Sequence, residues 1–180
     1  MGGEDDEIGT FRRLINDIYP TGVVSIVSDT WDYWDTLCNK AAILKDEILA
    51  RKENALGQAK VVFRPDSGDP ADIICGNQFL SDFSLPESKG AVECLWDIFG
   101  GKINEKGFKE LDPHIGLIYG DSITRDRQEA ILGLLMAKGF ASSNVVLGIG
   151  SYTYQHVTRD TLGFAMKATY GELNGVGQEI

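Results

Sequence analysis

The sequence predicts an α/β domain with a parallel sheet, because short apolar runs that end in polar residues alternate with helical stretches. Four runs rich in β-branched and aromatic residues are typical of buried strands, namely residues 23–27, 61–63, 115–119 and 145–147. A half-formed α/β barrel and a doubly wound sheet both fit this alternation. In either fold, functional residues are expected at the carboxyl ends of the strands.

Helical periodicity supports the elements between these strands. Apolar residues recur at helical spacing over residues 8–18 and 31–50. One face of the longer helix carries Trp31, Trp34, Leu37, Ala41, Leu44 and Ile48. We expect Ser28, Asp29 or Thr30 to cap that helix. The other predicted elements are helices over residues 70–75, 90–99 and 124–138, a hairpin or loop over 102–109, and a fifth strand over 164–170.

Composition is that of an ordinary globular protein. The 180 residues, 43% hydrophobic and 24% charged, fit one α/β domain over residues 1–180, with flexible ends at 1–7 and 171–180. No apolar run approaches the ~20 residues of a membrane span. No signal-peptide pattern is present, so we expect a cytoplasmic protein without a membrane partner. The net charge of -10 disfavours nucleic-acid partners.

Histidines and cysteines are too few and too scattered for a structural zinc site. Cys38, Cys75 and Cys94 form no Cys-x-x-Cys pair, which predicts free thiols in a reducing compartment. His114 and His156 are the only histidines. We therefore expect no protein-bound metal centre.

The most informative segment is Arg64-Pro65-Asp66-Ser67-Gly68-Asp69-Pro70. Pro65 cannot donate to a sheet, so the second strand should end there. Arg64 and Asp66 are two positions apart and point to the same side of an extended backbone. Asp69 can cap a helix whose first residue is Pro70. The segment predicts a guanidinium and a carboxylate together at a strand end, and an ordinary surface turn with a local ion pair is the alternative.

Polar residues at the other strand ends extend this pattern to Asp29, Gly120-Asp121, Gly148-x-Gly150-Ser151 and, further on, Arg159. Carboxylates accept strong hydrogen bonds from sugar hydroxyls. Glycine turns can aim backbone amides at an anion, and an arginine adds a planar fork for phosphate. Together these residues predict a site for a sugar phosphate that carries further phosphate. Taken singly, each also fits a tight turn or a solvated ion pair.

Several segments of the chain resemble the nicotinate/nicotinamide phosphoribosyltransferase family, in its nicotinamide-using bacterial and phage branch. The segments that carry the resemblance are residues 24–30, 64–70, 119–121, 147–152, 158–160 and 174–177. They follow one another in the family's order, and Arg-Pro-Asp-Ser-Gly is the most specific of them. Family members are much longer, so the resemblance implies that this chain corresponds to their C-terminal portion.

The resemblance implies a fold and an activity. The fold would be an incomplete parallel α/β barrel of the type II phosphoribosyltransferase kind. The activity would be transfer of the phosphoribosyl group from phosphoribosyl pyrophosphate to nicotinamide, which yields nicotinamide mononucleotide and pyrophosphate in NAD salvage. Mg²⁺ would arrive on the pyrophosphate, without a full set of protein ligands. The complete enzyme would be a homodimer.

The resemblance also implies roles for individual residues. Arg64 would hold the pyrophosphate, and Asp29 would lie near the ribose and the metal pyrophosphate. Ser25 would line the nicotinamide tunnel, and Lys167 would reach a 5′-phosphate across the dimer interface. The ribose hydroxyls would be bound by Asp66, Gly120 and Asp121. The 5′-phosphate would be bound by Gly150, Ser151 and Arg159.

Parts of the family site are absent from this sequence. The missing parts are the phosphorylatable histidine, the aromatic residues that stack on the base and the acidic residue that contacts the carboxamide. We therefore predict that the isolated chain carries the phosphoribosyl half of the site and is inactive alone. Two alternatives remain open: a nicotinate-specific enzyme, and a non-catalytic phosphate-binding or assembly fragment.

Overall fold

A computed structural model describes residues 3–120, 123–149, 159–163 and 166–179 of the chain. Contacts divide the chain into two compact units, Met1–Gly150 and Ser151–Ile180. In chain order the strands are β1 (Val24–Val27), β2 (Val61–Arg64), β3 (Gly101–Ile103), β4 (Lys109–Leu111), β5 (Ile115–Tyr119), β6 (Val145–Leu147), β7 (Tyr170–Leu173) and β8 (Val176–Glu179).

The α-helices are α1 (Glu7–Arg13), α2 (Tyr33–Asp35), α3 (Ala41–Ile43), α4 (Lys45–Leu49), α5 (Pro70–Cys75), α6 (Pro86–Lys89), α7 (Ala91–Phe99) and α8 (Arg125–Ala137). Wider π-helical turns extend α1 through Leu14–Ile18 and join α2 to α3 through Thr36–Lys40. Short 3₁₀ turns occur at Glu4–Asp6, Ser142–Asn144 and Arg159–Leu162.

The first unit is built on a four-stranded sheet in the order β1-β2-β5-β6. All three strand pairings are parallel, so the four carboxyl ends lie along one edge. The spatial order follows the chain order without the reversal that marks a doubly wound sheet. The sequence prediction of a parallel α/β sheet, with four strands at these places, is confirmed.

The two faces of this sheet differ in what covers them. On one face Ile26, Phe63 and Leu117 are 6%, 1% and 1% exposed and pack into the core with the helices. On the other face Val27 and Val146 are 40% and 60% exposed. This second face therefore leaves valine side chains exposed to solvent.

Most of the predicted helices and the hairpin are confirmed. Helix α5 begins at Pro70, and the Asp69 carboxylate accepts hydrogen bonds from the amides of Ala71 and Asp72. Helix α8 is capped by Thr124 in the same way. Strands β3 and β4 form the antiparallel hairpin expected near residues 102–109.

The predicted start of the second helix is wrong. Asp32, not an earlier residue, caps α2 by accepting a hydrogen bond from the amide of Asp35 at 3.0 Å. Trp31 lies before the cap and is 51% exposed, so it is not part of the buried face. The helix therefore begins at Tyr33, two residues later than predicted.

The second unit also differs from the sequence prediction. The strand expected over residues 164–170 is replaced by the β7–β8 hairpin, and residues 164–165 lie outside the described part of the chain. Asn174 and Gly175 form its turn with φ values of 55° and 80°. Both values are left-handed, which is the conformation that Asn-Gly favours in tight hairpins.

No helix in the described ranges is long and apolar enough to cross a membrane. The three cysteines are free thiols, with Cys75 and Cys94 buried and Cys38 half-buried. Burial raises the pKa of the Cys75 thiol to about 12, so it stays protonated and unreactive at neutral pH.

Candidate functional site

The site begins where β1 and β2 end together. The Ser28 hydroxyl is fully buried, donates to the carbonyl of Ile26 at 2.7 Å and accepts from the amide of Arg64 at 3.2 Å. The Ser28 amide donates to the carbonyl of Arg64 at 3.1 Å. These bonds continue the strand pairing past Val27. They therefore fix the position of Asp29 at the end of the strand.

That next residue, Asp29, joins the β1 end to the loop after β2. Its Oδ2 atom accepts a hydrogen bond from the amide of Asp66 at 2.8 Å. The same atom accepts from the hydroxyl of Ser67 at 2.6 Å. Hydrogen bonds to a carboxylate are stronger than those between neutral groups, so Asp29 holds the loop against β1.

The charged pair predicted in this loop is present. A terminal nitrogen of Arg64 lies 3.0 Å from Oδ2 of Asp66, and the two side chains are 39% and 40% exposed. The Arg64 Nε atom is buried and has no hydrogen-bond partner among the described residues. The exposed part of this guanidinium remains accessible to an added anion.

The ends of β5 and β6 complete this edge. A Cβ atom added to Gly120 would lie 2.4 Å from Oδ1 of Asp66, so the glycine leaves the space that this carboxylate occupies. The Tyr119 hydroxyl donates to the carbonyl of Gly68 at 2.7 Å. The amide of Gly148 donates to the carbonyl of Tyr119 at 2.8 Å, which draws the β6 end onto the β5 end.

The structure therefore brings Asp29, Arg64, Asp66 and Gly120 together at one edge of the sheet. Ser25 is exposed on the open face of β1. Lys167 is exposed in the second unit, in the segment before β7. The predicted site residues Asp121, Gly150 and Ser151, and the side chain of Arg159, lie outside what the structure describes.

Three residues that hold the site were not predicted. The hydroxyls of Ser28 and Ser67 make hydrogen bonds between the β1 end and the end of β2 with its loop. The Tyr119 hydroxyl donates to the carbonyl of Gly68 in that loop. Serines in a polar strand end carry no distinguishing pattern. Tyr119 ends an apolar run, which predicts a buried residue, and it is 2% exposed while its hydroxyl reaches the loop.

The described part of this edge has two carboxylates and one guanidinium. No cluster of three or more metal-binding side chains occurs among the described residues. One or two carboxylates beside an arginine can hold Mg²⁺ that shares its coordination with substrate phosphates and water. The arrangement thus fits a ligand that combines hydroxyl groups with metal-bound phosphate.

A groove of about 820 Å³ lies elsewhere, between the β3–β4 hairpin and α8. Phe108, Met136 and Phe140 supply its apolar lining, and Ser142 and Ser143, which precede β6, close one end. It belongs to the amino-terminal side of the sheet, away from the converging strand ends.

Replacing Gly120 with alanine tests the packing of the strand ends. The new Cβ would lie 2.4 Å from Oδ1 of Asp66, so that carboxylate must move, and its pairing with Arg64 through Oδ2 must rearrange. We expect the affinity for phosphoribosyl pyrophosphate, the ligand that the resemblance implies, to fall about tenfold. The free energy of unfolding should change by less than ~1 kcal/mol, because an exposed pair contributes little stability. Calorimetric titration and thermal unfolding measure the two effects.

Gly133→Ala is the matched control for this variant. Gly133 lies in α8, and a Cβ added there meets nothing within 4 Å. Alanine is the better helix former, so the control should be slightly more stable and bind ligand normally. If Gly120→Ala binds as tightly as Gly133→Ala, the described contact between Gly120 and Asp66 has no part in binding.

The sequence of this chain matches a known protein family. Residues 6–180 match the profile of the nicotinate phosphoribosyltransferase (NAPRTase) family. Because the match extends over almost the whole sequence, the chain belongs to that family.

Individual relatives carry a more specific name. A nicotinamide phosphoribosyltransferase of Acinetobacter baylyi is 61% identical over 180 residues, which is 100% of this chain and 35% of that protein. Proteins of the same name from Mycoplasma pneumoniae and Xanthomonas campestris are 42% and 33% identical over 93% and 99% of this chain. The chain covers 35% and 34% of their lengths. It therefore spans about a third of the curated relatives it matches.

Proposed function

We propose that this chain is the phosphoribosyl-binding part of a nicotinamide phosphoribosyltransferase. The observation that carries the proposal is the cluster at the strand ends, where Asp29 holds the loop that pairs Arg64 with Asp66 at 3.0 Å. The names of the relatives support nicotinamide as the acceptor. The reaction proposed is phosphoribosyl transfer from phosphoribosyl pyrophosphate, with nicotinamide mononucleotide and pyrophosphate as products.

In this proposal each strand end binds one part of the donor. Arg64 faces the pyrophosphate, and the 39% exposure of its side chain supports that role. Asp66, Gly120 and Asp121 bind the ribose hydroxyls, while Gly150, Ser151 and Arg159 bind the 5′-phosphate. Ser25 lines the path of nicotinamide, and its exposure on the open sheet face supports this. Lys167 acts across a dimer interface of the complete enzyme.

Mg²⁺ would enter with the pyrophosphate. Asp29 could contribute one carboxylate oxygen to it, since among the described residues its hydrogen bonds use Oδ2 alone. Bound there, the ion would neutralise charge on the leaving group. The rest of its coordination would come from phosphate oxygens and water.

Bond exchange occurs at C1 of the ribose. The pyridine nitrogen of nicotinamide forms a bond to C1 as the bond from C1 to pyrophosphate breaks, and the electron pair leaves with the pyrophosphate. Arg64 stabilises the charge that develops on this leaving group. Asp66 and Asp121 orient the ribose, and their negative charge favours the positive charge on the ring in the transition state. No side chain has to act as a nucleophile, so positioning provides most of the catalysis.

The sheet supports an incomplete barrel as the fold of this part. Four parallel strands follow one another in chain order, as they do in α/β barrels. Their uncovered face carries apolar residues such as Val27 and Val146, which suit a barrel interior. In this proposal the remainder of a full-length protein supplies the other strands.

Binding of the donor by the isolated chain tests the proposal. Titration with phosphoribosyl pyrophosphate and Mg²⁺ in a calorimeter should show one site per folded chain. Ribose 5-phosphate should bind more weakly, because it lacks the pyrophosphate that Arg64 would hold. A folded chain that binds neither ligand, or binds both equally, would contradict the proposed function.

The nicotinate alternative is favoured by the description of the family itself, which names nicotinate. We expect a complete enzyme with this sequence to use nicotinamide with the higher kcat/KM. A site built to satisfy a neutral amide discriminates against a carboxylate, because its buried polar groups are then mismatched. Measuring both acceptors at fixed donor concentration decides the question, and an equal or reversed preference would establish the alternative.

A further inference from the structure

The loop between α5 and α6, residues 77–85, exposes large apolar side chains. Phe79 and Phe83 are 96% and 74% exposed, and Leu85 at the end of the loop is 41% exposed. Single apolar residues are ordinary on a protein surface, whereas several in one short loop are typical of a contact surface. This segment is called the phenylalanine loop below.

Hydrogen bonds fix the shape of the phenylalanine loop. The amide of Asn77 donates to the carbonyl of Glu87 at 2.7 Å, and Oδ1 of Asn77 accepts from the amide of Phe79 at 2.9 Å. Further along, the carbonyl of Asp82 accepts from the hydroxyl of Ser88 at 2.6 Å. The two phenylalanines therefore stand on a preformed loop, which loses little conformational entropy when it binds a partner.

The groove between the β3–β4 hairpin and α8 is an apolar recess. Ile103 and Met136 line it and are 58% and 63% exposed, so its walls are open to solvent. The hairpin turn is fixed, because Oδ1 of Asn104 accepts from the amides of Lys106 and Phe108 at 3.0 Å each. A volume of about 820 Å³ is in the range that encloses a drug-sized molecule, so the tip of a loop with two phenyl rings can enter.

The phenylalanine loop of the same chain does not fill this groove. Both surfaces belong to the first compact unit, where Phe79 on the loop and Met136 in the groove are largely exposed. Because hydrogen bonds fix both surfaces, each stays uncovered until another molecule supplies its counterpart. A second copy of the chain carries both counterparts.

Opposite charges are available on the two surfaces. Asp82 is the only ionisable residue in the phenylalanine loop. On the groove, Lys102 pairs with Glu110 at 3.4 Å, which leaves Lys106 and Glu105 without an ion pair among the described residues. Lys106 can therefore pair with the Asp82 of an entering loop, and such a rim pair favours the correct partner and orientation.

We propose that the phenylalanine loop of one copy of this chain docks into the hairpin groove of another copy. The two copies meet through different surfaces, which makes the contact heterologous. An aromatic side chain buries roughly 150–250 Å², so two of them form a contact well below the standard interface of about 1,600 Å², and association should be weak. This inference goes beyond the proposed function and does not depend on it, and it does not use Lys167.

Analytical ultracentrifugation over a concentration series tests the proposal, at ~0.15 M salt to screen repulsion between acidic chains. The wild-type chain should associate as its concentration rises. The loop variant, Phe79→Ser with Phe83→Ser, and the groove variant, Met136→Glu, should each associate at least tenfold more weakly. Their circular dichroism should be unchanged, because all three positions are exposed.

Leu56→Ser is the matched control. Leu56 is 80% exposed, and its amide donates at 2.9 Å to Oδ1 of Asn54, two residues earlier, in the same way as the amide of Phe79 donates to Asn77. This variant removes an exposed apolar side chain away from both surfaces. It should associate like the wild type.

Mixing the loop variant with the groove variant identifies the contact. The first keeps an intact groove and the second an intact loop, so the mixture should form a complex of one copy of each that grows no further. In the ¹⁵N-labelled wild type, the amides of Phe79, Phe83 and Ile103 should shift together on dilution, which needs no variant to fold.

Four results would overturn the proposal. They are a wild-type chain that stays monomeric up to ~1 mM, association that survives in the loop or groove variant, its loss in Leu56→Ser, and a mixture that stays monomeric. Dilution shifts confined to the phenylalanine loop or to the hairpin would also overturn it.

Discussion

Adding the part of a relative that this chain does not match should raise formation of nicotinamide mononucleotide at least ~10³-fold above the level of the chain alone. The partner would be the part of the Acinetobacter baylyi protein that lies outside the segment matched here, since that protein is 61% identical over this whole chain. Orientation of two reactants is worth roughly 7–11 kcal/mol, and each 1.36 kcal/mol is tenfold in rate. Without a group to place the pyridine ring over C1, several kcal/mol of this orientation contribution are lost.

The uncovered face of the sheet gives the two parts a reason to assemble. Val27 and Val146 are exposed on it, and within the described residues β1 and β6 are the outer strands of the sheet. Mixtures should be assayed for product and weighed by light scattering, with the chain alone and the partner alone as controls. Full turnover by the chain alone would contradict the assignment, and so would a stable complex that forms no product.

Replacing Arg64 should have the second largest effect. In the assembled enzyme, Arg64→Ala should lower kcat/KM by about 10²–10³, which is the usual loss when a group that stabilises the departing charge is removed. Arg64→Lys should recover little of it, because an ammonium lacks the planar fork that binds phosphate oxygens in pairs. Stability should change by less than about 1 kcal/mol, since the pair with Asp66 is about 40% exposed.

Arg12 offers a matched control. It pairs with Glu47 at 2.8 Å and is 46% exposed, so its setting resembles that of Arg64 away from the strand ends. Arg12→Ala should leave kcat/KM unchanged. The assigned role of Arg64 would be refuted if both variants lost activity equally, or if Arg64→Ala lost activity only in proportion to unfolded protein.

Local chemistry made the centre of the site predictable. Pro65 ends β2, Asp69 and Pro70 begin α5, and the two-residue spacing of Arg64 and Asp66 places their charges together. Each of these outcomes depends on neighbours in the sequence. They could therefore be derived before any long-range contact was known.

Long-range contacts account for what could not be predicted. Three polar residues at the β1 end were candidates for the helix cap. The structure uses Asp32 instead, while Asp29 bonds to a loop 37 residues away. The contacts of the Ser28 and Tyr119 hydroxyls likewise depend on distant partners, Arg64 in β2 and Gly68 in the loop after β2. In the second unit, Asn174-Gly175 is a local signal for a tight hairpin turn, whereas the sequence prediction placed a single strand earlier, over residues 164–170.

The central claim is that the ends of β1, β2, β5 and β6 form one site for the phosphoribosyl donor. The most direct test records amide chemical shifts of the ¹⁵N-labelled chain as phosphoribosyl pyrophosphate and Mg²⁺ are added. The account predicts that the amides of Asp29, Asp66, Gly120 and Gly148 shift together with a single affinity, while those of the β3–β4 hairpin do not move. Shifts confined to the hairpin groove, or none at saturating donor, would contradict it.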